Sequence, residues 1–170
     1  MDSLVTYGNG NINDTFLLTS KDRDKTKRYI LQRINQEVFN DPVAVMNNFS
    51  RVTGHLKKKK SKPEDDEKEL TLIKTKDGKS FTLDGNGNYW RMMKFISDGL
   101  SLEFPENEKQ AYEAAKAFGR FQSDLNDLPE PSLVETIPDF HNTKTRYQQF
   151  TTASQKDRVG RVDQVSDLIT

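Results

Sequence analysis

The chain has 170 residues, carries 26 Lys and Arg against 26 Asp and Glu, and contains no cysteine. That length favours one domain or little more, and a net charge of zero provides no whole-molecule field to draw it onto nucleic acid or an anionic membrane. Disulfides and thiolate metal centres are excluded, two widely separated histidines argue against a zinc site, and neither a leader pattern nor a long apolar run is visible, so the expectation is a cytoplasmic chain without nucleic-acid or membrane partners. A core remains affordable at 33% hydrophobic residues, because these cluster in periodic runs and include ten Phe and five Tyr.

Leu4–Tyr7, Thr15–Thr19 and Arg28–Ile34 are short β-prone runs separated by Gly, Asn, Asp or charged clusters. Asn40-Asp41-Pro42 then announces a helix over Pro42–Leu56, with Asn40 or Asp41 as cap and Pro42 in the first turn, where it forfeits no bond. Val45, Phe49, Val52 and Leu56 mark its buried face. The basic and acidic blocks of residues 57–69 cancel each other and interleave no aromatic residue, which makes them a solvated connector. Three more strands follow, Leu70–Thr75, Ser80–Leu83 and Tyr89–Ile96, with turns at Asp77-Gly78 and Gly85–Asn88. From Pro105 to about Leu125 the pattern is helical, with Ala111, Ala114, Ala115, Phe118, Gln122 and Leu125 on one face and Phe121 widening the stripe. A proline-punctuated loop spans Leu128–Asp139. The pattern is helical again from Thr143, with Asn142 or Thr143 as cap. Strands first and helices after indicate an α+β fold with an antiparallel sheet.

The segment best suited to chemistry is Tyr7-Gly8-Asn9-Gly10-Asn11-Ile12-Asn13-Asp14-Thr15, between two strands. Glycines let main-chain amides approach phosphate oxygens without a Cβ in the way. Asn13 stands where a dinucleotide fingerprint needs its third glycine, and a strand rather than a helix follows; no Gly-Lys-Ser/Thr completes a Walker loop. What remains is the strand, glycine-rich loop, strand geometry with which kinases cover ATP phosphates. The order of elements fits the N-terminal lobe of a kinase leading into its helical lobe, divided near residues 97 and 98. In that layout Phe95-Ile96-Ser97-Asp98-Gly99 is the hinge, whose main chain would meet the adenine edge.

Gly10-Asn11-Ile12-Asn13-Asp14-Thr15-Phe16, Tyr29 to Asn35, Val38-Phe39 with Met46, Tyr89-Trp90-Arg91, Phe118 to Gln122, and Glu135 to Thr143 followed by Arg146 together resemble the aminoglycoside phosphotransferase-like kinases, closest to the N-acetylhexosamine 1-kinase branch. The resemblance spans nearly the whole chain. It implies a protein-kinase-like fold, ATP with Mg²⁺, and transfer of the γ-phosphate to a small hydroxylated acceptor, a sugar foremost. On it, the nucleotide-binding residues are expected to be Gly8, Gly10, Asn11, Asn13, Asp14, Thr15, Gln32, Phe95 and Ile96. His141 is a candidate for a sugar hydroxyl, against the alternative of a loop residue opening a helix.

Two departures qualify the resemblance. Aligning Tyr29–Gln32 with the third strand of a protein kinase puts neutral Gln32 where a lysine would stand, and Pro42–Leu56 holds no Asp or Glu to pair with such a lysine. Arg33, on the other face, is the second candidate for a phosphate contact, against the favoured reading of a solvated or salt-bridged arginine. No His-x-Asp-x(4)-Asn arrangement occurs, and Asp163 and Asp167 suit a solvated helix face. The acceptor-orienting Asp and the Mg²⁺ ligands are therefore expected beyond this chain, which is taken as the front part of a longer enzyme and inactive by itself. A non-catalytic module that binds nucleotide or a partner protein is the alternative. His55, near a helix end, is expected to complement the helix dipole.

Overall fold

The computed structural model describes residues 2–22, 25–59, 70–97, 99, 102 and 104–169. The chain separates into two compact units, Met1–Thr136 and Ile137–Thr170. The first holds strands β1 (Ser3–Thr6), β2 (Asp14–Asp22), β3 (Lys25–Arg33), β4 (Leu72–Ile73), β5 (Thr82–Leu83) and β6 (Tyr89–Lys94), with helices α1 (Pro42–Lys59) and α2 (Glu108–Leu125). The second holds α3 (Thr143–Lys156), a short 3₁₀ turn at Val162–Val165 and α4 (Ser166–Ile169). The fold is α+β, as the segregation of strands and helices anticipates.

All strand pairings are antiparallel, in the order β1-β2-β3-β6-β4, with β5 also on β6. The β2–β3 ladder runs from Asp14 opposite Arg33 to Asp22 opposite Lys25, further than the apolar cores of the two strands suggest. Its outer end is made of charged residues, which a two-stranded ribbon tolerates because both faces reach water. β4 and β5 shrink to two residues each, shorter than Leu70–Thr75 and Ser80–Leu83. Around them the tight turns at Asp77-Gly78 and Asp84–Asn88 take the backbone bonds instead: Gly78 N–H meets Thr75 O at 2.9 Å, and Asp84 N–H meets Asn88 O at 3.1 Å.

Alternation along the strands puts Arg28, Ile30 and Gln32 on one face with Thr15, Leu17 and Thr19 of β2 and with Arg91 and Met93 of β6. Helix α1 lies on that face: Met46 Sδ is 3.9 Å from Arg91 Nη1, and the Arg91 guanidinium sits 4.7 Å over the Phe49 ring. Ile34, Ala44, Met46 and Met93 form the buried core there. Asp41 caps the helix, its carboxylate accepting the Ala44 N–H at 2.9 Å. The helix continues through Lys57–Lys59, which the sequence reading assigned to the connector; lysine is a good helix former and its charge suits a C-terminal turn. The rest of that connector lies outside the described residues.

Helix α2 starts at Glu108, not Pro105, because Asn107 caps it by accepting the Gln110 N–H at 3.0 Å. The stripe from Ala111 to Leu125 is not its packed face. Glu113, Ala117, Arg120, Phe121 and Asp124 turn toward Phe49, Val52 and Leu56 of α1 across a groove, and Phe118 is left exposed. In the second unit, Asn142 caps α3 as expected. The helical pattern beyond it is broken at Asp157, which adopts a left-handed conformation (φ 31°) and accepts the amides of Arg161 and Val162. Asp163 and Asp167 consequently fall in two different short pieces and share no helix face.

Candidate functional site

The glycine-rich segment joins β1 to β2 as an exposed hairpin loop. Tyr7 N–H donates to Thr15 O at 2.9 Å, which closes the loop at its base. Gly8 has φ +80°, a conformation that suits glycine, whereas a Cβ at Gly10 would meet open space. Gly10 and Asn11 are therefore free to face a ligand. The far end of the loop is tied down: Asn13 Oδ1 accepts the Asn35 N–H at 3.0 Å, and Asp14 accepts from Arg33 Nε at 2.6 Å. Asn13 and Asp14 thus spend their side chains on anchoring the loop, and Arg33 serves Asp14 and Asn88 on the outer face.

Thr15 opens a transverse row of polar groups on the α1 side of the sheet. Gln32 Nε2 donates to Thr15 Oγ1 at 2.9 Å, and Gln32 Oε1 accepts from Arg91 Nε at 3.0 Å and Nη2 at 2.8 Å. Register creates this row, since Thr15 pairs with Gln32 across β2–β3 and Gln32 with Arg91 across β3–β6. Gln32 is held at both ends, which fixes which end of its amide is nitrogen. Burial against Phe49 and Met46 lowers the Arg91 pKa from its ordinary value, yet a guanidinium stays protonated. Among the described residues no carboxylate forms an ion pair with Arg91, and α1 contains none to offer.

Along β6 the same face leads to the expected hinge. Phe95 N–H donates to Arg28 O at 3.1 Å, so the sheet already uses that amide, and a base edge reading this segment would meet main chain beyond it. The Arg28 guanidinium lies 4.4 Å above the Phe95 ring and donates to Ser97 Oγ at 3.1 Å. Tyr7 meets Phe95 edge-on at 5.7 Å between centroids. With Ile30, Met93 and Ile96, these rings line an apolar cavity of about 280 Å³. The curl of the first hairpin therefore brings the start of the glycine segment to the expected hinge. Asp98 lies outside the described residues.

No model of a known protein family matches the chain.

His141 belongs to the second unit, exposed in the turn before α3, where its ring meets Phe140 edge-on at 4.8 Å. His55 does more than sit near a helix end. Its Nε2 is 3.1 Å from both Asp124 O and Asp127 Oδ1, so it fastens the last turns of α1 to the end of α2. Among the described residues no three His, Asp or Glu side chains come together in a way that could hold a metal ion. No described helix is long and apolar enough to cross a membrane.

Two residues with structural weight were missed in the sequence. Arg91 was quoted only as part of a motif, because its relation to Gln32 depends on a β3–β6 pairing 59 residues apart that no local pattern encodes. Arg51 carries no sequence signal, because its partners lie some eighty residues further along the chain. It donates to Pro129 O, Pro131 O and Ser132 O, while Asn48 brackets the main chain of Val134 through both its amide groups. The proline-punctuated loop is thereby strapped along α1.

Proposed function

We propose that the sheet and α1, residues 2–97 of the first unit, form the nucleotide-binding lobe of an ATP-dependent small-molecule kinase of the aminoglycoside phosphotransferase type, acting on a hydroxylated acceptor such as an N-acetylhexosamine. The observation that carries this reading is the chain order. A glycine-rich hairpin, a third strand, a helix packed on the sheet and a return strand ending at Lys94, just before Phe95, follow one another in an antiparallel sheet. On this reading the adenine lies in the apolar cavity by Tyr7, Ile30 and Phe95. The phosphates lie under Gly8 and Gly10, near the row from Thr15 to Arg91. Catalysis would rest on positioning and on electrostatic stabilisation of the transferring phosphoryl group, by residues beyond those described.

Gly10→Val is a suitable test, because a Cβ at position 10 meets nothing within 4 Å in the protein itself. It obstructs only a ligand approaching the loop amides. Loss of one or two neutral hydrogen bonds, each worth about 1 kcal/mol, predicts an ATP dissociation constant raised about tenfold with an unchanged Tm. Calorimetric titration with ATP reads it. Unchanged ATP affinity would mean the loop is a hairpin turn and no more.

A further inference from the structure

We infer that Arg91 is the phosphate-binding cation of this lobe, held in place by Gln32, so that a guanidinium on β6 takes the position left empty by the absent lysine of β3. The inference rests on the nucleotide-lobe reading and assigns a residue to it. A charge taken out of water is costly unless a counter-charge or a full set of hydrogen bonds offsets it. Every buried side-chain nitrogen or oxygen among the described residues has a hydrogen-bond partner. What Arg91 lacks is a counter-charge. Its contacts are a neutral amide oxygen, a thioether and an aromatic face. Nε and Nη2 are committed to one acceptor, and Nη1 reaches only the thioether of Met46 at 3.9 Å, a weak acceptor that an anion can outcompete. A phosphate suits that fork in charge and geometry.

The placement agrees with the chemistry. Arg91 stands in the same cross-strand row as Thr15, where the glycine-rich loop ends, on the sheet face that α1 covers. Four residues along the same strand direction comes Phe95 at the hinge end, about 13 Å away at roughly 3.3 Å per residue. A bound base at one end and a polyphosphate at the other would span that distance. Gln32 is neutral for a physical reason on this view. A lysine there would repel the guanidinium, and a glutamate would neutralise it.

Titration calorimetry of the chain with ATP, adenosine and inorganic tripolyphosphate tests this. The wild type is expected to bind ATP and tripolyphosphate. R91M should weaken both by about tenfold or more and leave adenosine unchanged. Q32E, which keeps Arg91 but sets a carboxylate against it, should give the same selective loss; R91K should restore affinity only in part, since one ammonium cannot bond Gln32 and a phosphate with the same fork geometry. Circular dichroism and Tm report folding, and Q32E carries the test should R91M not fold. Folded R91M and Q32E that bind ATP like the wild type overturn the assignment and leave the nucleotide reading standing. Failure of both variants to fold makes Arg91 a structural residue and also overturns it. Tripolyphosphate binding that depends on Arg91, with ATP no tighter and adenosine unbound, supports the anion site and overturns the nucleotide reading. No binding of any of the three overturns both.

Discussion

Helices α1 and α2 are both 18 residues long and both carry an apolar stripe, yet they meet different fates. Helix α1 buries Pro42, Ala44 and Met46, the last of them completely. Helix α2 buries nothing, and Phe118 stays 71% exposed. The difference lies in what each faces. Helix α1 sits on a sheet whose residues Ile34, Met93 and Arg91 fill in beneath it. Helix α2 meets only the groove beside α1, along a face partly made of Glu113, Lys116, Arg120 and Asp124. Periodicity states where a helix is apolar; burial requires a surface to receive it.

The contrast can be broken most directly by truncating one side chain on each helix. Met46→Ala removes a fully buried side chain and is expected to cost about 2–5 kcal/mol in urea denaturation, whereas Phe118→Ser should stay within about 0.5 kcal/mol. A Phe118→Ser loss as large as that of Met46→Ala would mean that α2 packs in solution as α1 does. A smaller effect is expected from Arg51→Ala, which releases the strap along α1. Charge-assisted bonds to three carbonyls at a partly exposed site suggest about 1–2 kcal/mol. It should also bring faster amide exchange at Val134, whose N–H is held by Asn48 in the same clasp.

The smallest effect sharpens the role of local turn chemistry, which owes nothing to α1 or α2. Asp84 accepts the Trp90 indole N–H at 2.9 Å, the Asn88 side-chain amide at 2.8 Å and the main-chain amides of Asn86 and Asn88. The Trp90 bond first, then those from Asn88, hold its pKa well below the ordinary carboxylate range. Asp77, bonded by Thr75 and Lys79, is lowered to about 2. A depressed carboxylate pKa stabilises the fold fully above the unfolded value, about 3.9, and that contribution fades as pH falls through the folded value. The window is therefore pH 4 down to about 2 for Asp77, and extends lower for Asp84. Carboxyl carbon shifts followed by NMR should show both still ionised at pH 3. Midpoints near 3.9 would mean that the turns do not hold their carboxylates.

What the sequence made legible follows the same division between local and remote causes. The caps at Asp41 and Asn142 and the turns at Gly78 and Gly87 are written within a few residues, and each is found; α1 forms where expected, but it buries Pro42, Ala44 and Met46, while Val45, Phe49, Val52 and Leu56 are only half-buried. The ends of β2 and β3 were not legible, because Lys25–Lys27 has no apolar pattern and is a strand only through its partner. The α2 face was misplaced because alanines fix a stripe without saying what lies opposite. Within the candidate site the glycine-rich loop was visible, and Gln32, a candidate for a phosphate contact, has both ends of its amide taken by Thr15 and Arg91. Arg91 was invisible as a site residue, since it matters only through cross-strand register. Asn13 and Asp14 looked like ligand residues but anchor the loop.

The outermost position of β1 has a consequence for handling the protein. Among the described residues this strand pairs with β2 alone, and Leu4 and Val5 are both exposed. An unpaired strand edge with apolar side chains is a template for another copy of itself. Four residues make that template short, and Gly8, with its left-handed backbone, ends it abruptly. Self-association is thus expected to grow with concentration through this margin of the sheet. A lysine at position 5 would be the economical way to keep concentrated samples monodisperse.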